Sequence, residues 1–255
     1  MIRFSNNEGV IKNSGIHIEN SNYATLPEVC VGVFSRELFQ FVEKNFKLTY
    51  IGYISCANME KKVYAVDYKG KEVTFFMASV GGPAIAGDME ELIASGIKKF
   101  IIFGNCGVLD KTIEDCSIII PTKAFRDEGT SQHYVPDSET IDLNTNQKFK
   151  AEFEKILQLN AYDWVEGYTW TTDAFYLETK EKVEYFRSQG CITVEMEGAT
   201  IAAVCARRKV EYFTFYYAGD NLDAEEWEKR SLSGKDSLHL KTPVIYLAFE
   251  LATRI

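Results

Sequence analysis

The 255-residue sequence predicts one α/β domain with a mixed central β-sheet covered by helices. Three observations carry this. Short runs rich in β-branched and aromatic residues crowd the early part of the chain, then alternate with segments of helical period. Several of those runs are apolar throughout, as strands buried on both faces are. No Pro/Ser-rich linker, repeat or low-complexity tract interrupts the chain, so 1–255 reads as a single domain.

Each element has its own local reason. Residues 29–34 (VCVGVF) form a short apolar strand, and 35–47 follow with helical spacing at Leu38, Phe39, Val42 and Phe46. Residues 63–68 and 73–77 flank Lys69-Gly70-Lys71 as a hairpin. Residues 83–95 are helical, with Gly96 as stop signal. Residues 100–103 make a buried strand that runs into Gly104-Asn105-Cys106-Gly107, and 117–121 make another. Helices are expected at 147–159 and 180–189, a strand at 191–194, a helix at 198–208 and a strand at 211–218. The chain closes on a helix at 238–253, with Pro243 in or near its first turn.

Composition excludes several classes. Asp plus Glu number 37 against 28 Lys plus Arg, a net charge of −9, so no global field draws nucleic acid or an anionic membrane. A local basic pocket for a small anion is compatible with that charge. Hydrophobic residues are 46% of the chain, enough to offset chain entropy. No stretch approaches the ~18 apolar residues of a membrane span, and residues 1–8 lack the apolar centre of a signal peptide. Six scattered cysteines without a C-x-x-C pair argue against a disulfide framework or a thiolate zinc site, and for reduced thiols in the cytoplasm. His17, His133 and His239 are too dispersed to suggest a metal site.

In such folds ligands gather where strands end. Val194-Glu195-Met196-Glu197-Gly198 places two carboxylates at a strand-to-helix junction. Acidic residues there also suit a plain helix start. Tyr216-Tyr217-Ala218-Gly219-Asp220 puts an aspartate after a buried strand, as a helix cap or as a general acid raised by burial. Gly32-Val33-Phe34-Ser35-Arg36 joins strand to helix, where glycine admits a ligand and Arg36 offers a fork for phosphate or a solvated first-turn charge. The glycines of 79–83 and 104–107 serve turns or a close approach. Phe175 and Tyr176 suit either stacking on a planar base or core packing.

Taken together and in register, these segments resemble the nucleoside phosphorylase superfamily, which contains hexameric purine nucleoside phosphorylases, uridine phosphorylases and methylthioadenosine-type nucleosidases. The resemblance runs from His17 to the C-terminal helix and is most specific at Val194–Glu197 and Gly219-Asp220. It implies one α/β domain around a mixed, barrel-like sheet. By matching position it implies phosphate binding by Gly32 and Arg36. His17 would reach a neighbouring subunit's ribose, and Phe175 would stack on the base. Glu195, Met196 and Glu197 would hold the ribose, with Glu197 on its 2′- and 3′-hydroxyls, and Asp220 would be the acid at purine N7. Two positions depart from the purine branch: Ile102 replaces a phosphate-binding Arg, and Asn105 matches a Ser of the same turn and would take its place at the phosphate. Residues 124–131 look more like the uridine branch, which makes Arg126 a candidate replacement cation.

The expected activity is phosphorolysis of a purine nucleoside, with phosphate as co-substrate, no other cofactor, and a homo-oligomer built as a hexamer or from dimers. Three alternatives stand beside it. One is hydrolysis of the methylthioadenosine/S-adenosylhomocysteine type, with Glu37 near the position of a water-activating Glu. The others are uridine phosphorolysis and a non-catalytic nucleoside-binding protein.

Overall fold

The computed structural model describes residues 15–232 and 237–255. The N-terminal residues read for a leader lie outside them. Its elements are β1 (His17–Ile18), β2 (Val29–Val33), α1 (Arg36–Asn45), β3 (Leu48–Cys56), β4 (Met59–Tyr68), β5 (Lys71–Met77) and α2 (Gly82–Ala94). Then come β6 (Lys99–Val108), β7 (Ile118–Asp127), α3 (Thr130–Tyr134), β8 (Thr140–Asp142), α4 (Gln147–Leu159) and β9 (Trp164–Thr172). A 3-10 turn (Phe175–Leu177), α5 (Lys180–Ser188), β10 (Cys191–Glu195), α6 (Gly198–Arg208), β11 (Glu211–Asn221) and α7 (Leu238–Arg254) complete the chain.

The strands form one mixed sheet in the order β1-β3-β4-β5-β2-β6-β10-β9-β7-β11. β11 returns to pair with β6, so β6, β10, β9, β7 and β11 close on themselves as a barrel. The barrel removes free edges from that half of the sheet. The other half runs out through β2 and β5 to the hairpin strands β4 and β3.

Two apolar layers sandwich the sheet. On one side α1, α4 and α7 bury Leu38, Phe153 and Phe249 against Val31, Phe75 and Phe215. On the other, α2 and α6 bury Ile85, Met89 and Ile201 against Phe76, Phe100 and Ile102. This double cover explains why β2 and β6 read as continuous apolar runs rather than alternating ones. Among the described residues no helix is long and apolar enough to cross a membrane.

The helices at 147–159 and 198–208 stand where the sequence placed them, and the hairpin turns at Lys69 and Gly70, both with positive φ. The strands differ more. β4 begins four residues earlier than the apolar signal, at Met59, and β6, β7 and β11 run past theirs into polar residues. β3 and β9 were not anticipated. Both mix tyrosine or tryptophan with polar residues on half-exposed faces, which weakens a period-two pattern.

Candidate active site

The extensions of the strands past their apolar runs build the site. β2, β5 and β11 run parallel to neighbouring strands, and their C-terminal ends open on one side. β10 meets β6 only through that strand's last residues, Thr193 with Val108 and Val194 with Gly107, and runs parallel to β9, which sets Glu195 opposite Thr171 at the same rim.

Asp220 reaches the rim through a bulge. Along β6 the step from Cys106 to Val108 is matched on β11 by the longer step from Ala218 to Asn221. The extra residue re-aims the side chains around it. Beyond the bulge, Asn221 pairs with Glu228 through both backbone bonds, which folds 222–227 into a tight excursion. Trp227 thereby returns to Asp220, and its indole Nε1–H donates to Asp220 Oδ2 at 2.7 Å. Oδ1 keeps no protein donor among the described residues. It lies close over Gly107, where a Cβ would come within 3.3 Å of it.

Glu195 and Glu197 have divided roles. Glu195 Oε2 accepts from the backbone N–H groups of Glu197 (2.8 Å) and Gly198 (2.5 Å), and Oε1 accepts from Thr171 Oγ1 (2.5 Å). Its carboxylate therefore caps α6 from inside, and both of its oxygens are engaged by the protein. Burial raises its pKa, while those hydrogen bonds oppose the rise. Glu197, the N-cap residue of α6, accepts from Gly81 N at 2.6 Å through Oε1. Burial pushes its pKa up to about 8, and the Glu195 carboxylate adds to the rise. The protein thus holds an acidic group near its titration point beside the rim.

Two cavities open at this rim. The larger, about 840 Å³, is lined by Asp220, Asn105, Phe175, Tyr176, Met196 and Trp227. That size suits a drug-sized or nucleoside-sized ligand. Phe175 and Tyr176 stand half to fully exposed at its mouth, with ring centroids 4.2 Å apart. The smaller, about 640 Å³, is lined by Arg36, Phe34, Lys61, Ser79 and Asp88. Val80 lines both cavities, and the neighbouring Gly81 amide is the one bonded to Glu197. The Phe34 ring lies over Gly104, one residue from Asn105, so the two cavities share this wall as well.

Of the remaining sequence candidates, Arg36 lines the smaller cavity and Gly32, Arg126 and His17 line neither. Arg36 opens α1 and is exposed, with no hydrogen-bond or ion-pair partner among the described residues. Gly32 lies beneath the Phe76 ring, which a Cβ would approach to 2.6 Å, and it lines neither cavity. Arg126 donates to Ser131 Oγ (2.7 Å) and to the carbonyls of Ser138 (3.1 Å) and Val135 (2.5 Å). Its guanidinium ties down residues 131–138 and faces neither cavity. Ile102 is buried in the core. His17 lies exposed on the edge strand β1, stacked on Tyr53 at 4.8 Å.

Two residues of the larger cavity have no reading in the sequence. Trp227 sits in an acidic run whose return to Asp220 depends on a backbone pairing that no local pattern announces. Glu178 also lines the cavity, and burial, with Asp220 adding to it, pushes its pKa up to about 7. Its signal was available: an acid two residues after the aromatic pair flagged for stacking.

Fold and site define the class first: an α/β barrel-sheet protein whose cavities bring acids and aromatic rings to one rim, suited to a small polar ligand with a planar ring. The chain belongs to the Phosphorylase superfamily, whose family model matches residues 29–237. It is 31% identical over 154 residues to the guanosine phosphorylase of Halorubrum lacusprofundi, covering 60% of this chain and 62% of that protein. It is 25% identical over 214 residues to the DeoD-type purine nucleoside phosphorylase of Clostridium novyi, covering 84% of this chain and 89% of that protein. The fold also matches the crystal structure of purine nucleoside phosphorylase from Toxoplasma gondii in complex with immucillin-H. The TM-score is 0.78 at 17% identity, over 95% of this chain and 96% of that one.

Proposed function

We propose that this protein is a purine nucleoside phosphorylase. It transfers the ribosyl group of a purine nucleoside to phosphate and releases the free base and ribose 1-phosphate. The observation that carries the reading is Asp220, oriented by the Trp227 indole in the same cavity as Phe175 and Met196. The names of the relatives point the same way.

In this reading the base enters the larger cavity, stacks at Phe175 and presents N7 to Asp220. The C1′–N9 bond breaks with its electron pair moving to the base, and Asp220 supplies a proton or hydrogen bond to N7. The C1′–O bond to phosphate forms on the opposite face of the sugar. The sugar carries oxocarbenium character in between, and Glu197, ionised, grips the ribose hydroxyls and favours that charge. Preorganised electrostatics of this kind are worth several kcal/mol of barrier. Asp220 adds ~100-fold as a positioned acid. Glu195 acts behind Glu197 by fixing the start of α6. Phosphate is the co-substrate and the reaction uses no other cofactor. A homo-oligomer accompanies this reading, with His17 presented to a neighbouring subunit from β1.

The test is base release from guanosine, inosine and adenosine with and without phosphate. Phosphate-dependent release with ribose 1-phosphate as product supports phosphorolysis, and equal release in both tubes removes it. The hydrolytic reading draws on Glu37, held by Ser35 Oγ at 3.1 Å beside the smaller cavity, and the same assay separates the two.

A further inference from the structure

The smaller cavity contains a buried ion pair that the scheme above does not use. Lys61 comes from β4 and Asp88 from α2, and their side chains are 3% and 1% exposed. Lys61 Nζ contacts Asp88 Oδ1 and donates to Ser79 Oγ at 2.6 Å. Asp88 Oδ2 accepts from Ser79 N at 2.9 Å. The sequence alternation explains why a lysine is inside. Lys61, Val63 and Ala65 share the buried face of β4.

Burying an ion pair rarely raises stability over an apolar replacement. Its value therefore lies elsewhere, and the cavity supplies the reason. Lys61 and Ser79 line it together with Arg36. Of the other cations near the rim, Arg126 is committed to Ser131, Val135 and Ser138 and Arg187 to Asp223 at 2.5 Å, while Lys180 stands exposed on the larger cavity and lines no part of the smaller one.

We propose that Lys61 and Ser79, with Arg36, form the phosphate seat of this enzyme. The proposal rests on the phosphorolysis reading. An ammonium carries three N–H donors. Asp88 and Ser79 take two, and one is left for an anion. The Ser79 hydroxyl accepts from Lys61 and keeps its own proton to donate. Both Asp88 oxygens are engaged, so its charge is met inside the cluster, and Arg36 supplies the unpaired positive charge. Glu91 also lines this cavity. It sits eight residues beyond Pro83 on α2, about 12 Å along the helix at 1.5 Å per residue. The anion occupies the opposite end, beside Ser79 and Val80. Val80 is the wall shared with the nucleoside cavity, so phosphate there adjoins the sugar of a bound nucleoside.

The experiment titrates inorganic phosphate into the wild type and two variants, and measures phosphate and guanosine KM on the same samples. Ser79→Ala removes one donor and leaves the ion pair. Lys61→Met combined with Asp88→Asn removes both charges at once, so no buried charge is stranded. The expected result is a phosphate Kd and KM raised about tenfold or more in each variant, the worth of a charged hydrogen bond. The guanosine KM stays within about twofold. Wild-type phosphate affinity in Ser79→Ala and in the folded double variant overturns the proposal. Where the double variant does not fold, Ser79→Ala decides alone. Phosphate-independent turnover by the wild type is a separate failure, that of the phosphorolysis reading, and the titration still reports on the seat.

Discussion

Asp220 works because two unrelated pieces of chain meet on it. The β11 bulge turns it to the rim and Trp227 fixes one oxygen, which leaves the other for a base. Asp220→Asn keeps an acceptor for the indole but replaces the carboxyl group that serves the base. On the best purine nucleoside its kcat should fall ~100-fold, with KM little changed, in steady-state assays. Trp227→Phe keeps the acid and loses only its orientation, so a smaller loss, about tenfold, is expected in the same assay. An unchanged Asp220→Asn rate removes the acid assignment. Glu197 makes a second prediction at this scale. Its pKa near 8 means that it is largely protonated in the free protein at neutral pH. A protonated carboxyl does not favour positive charge on the sugar. The kcat/KM should therefore rise with pH through about 8, since that ratio reports ionisation in the free enzyme. Glu197→Gln should be slow at every pH and lose this rise.

At the scale of elements, the start of α6 is where site and fold depend on one another. The helix begins without a side-chain cap from its own N-cap residue, and Glu195, two residues earlier, takes the orphan amides instead. Glu195→Gln puts an amide NH2 group where an acceptor is needed. A loss of about 1–3 kcal/mol in urea unfolding is expected, with kcat reduced because Glu197 shifts with the helix start. Unchanged stability would show that the cap is dispensable. This junction also marks what could be read from sequence. The alternation of Ile192, Val194 and Met196 located the strand end, and α6 was found with its observed bounds. The sequence placed Glu195 and Glu197 together at this junction, and the resemblance gave both to the ribose. The structure instead gives Glu195 to Thr171 and the α6 amides, because a buried helix start must satisfy its N–H groups. Arg126 behaves likewise: the resemblance of its segment to the uridine branch suggested an anion, and nearby carbonyls absorb its donors. Long-range pairings such as Asn221 with Glu228, or Lys61 with Asp88, leave no local signature, so Trp227 and the buried ion pair of the second cavity were invisible.

Across the whole molecule, the rim stores protons that folding captures. Glu197 and Glu178 have pKa values raised to about 8 and about 7, and that of Glu195 is raised as well, all mainly through burial. In the unfolded chain these groups ionise near 4.3. Between those limits the folded state binds more protons than the unfolded one, so this contribution is full at acid pH and fades as pH climbs toward 8. Surface carboxylates paired with lysine, such as Glu28 and Asp67, have lowered pKa values and act the other way. Their contribution is present above the usual carboxylate range and is lost only as pH falls below it. The two sets therefore titrate in different windows, and from about pH 5 to 8 the rim dominates the trend. Thermal unfolding of the ligand-free protein should give a Tm that declines steadily over that interval. Glu197→Gln, which has no proton to lose, should flatten the decline, each pKa unit being worth about 1.4 kcal/mol. A Tm that is level or rising from pH 5 to 8, or an equal slope in Glu197→Gln, would mean that Glu197 is ionised in the folded protein. The rise of kcat/KM with pH would then have to come from another group, with Glu178 the next carboxyl to test.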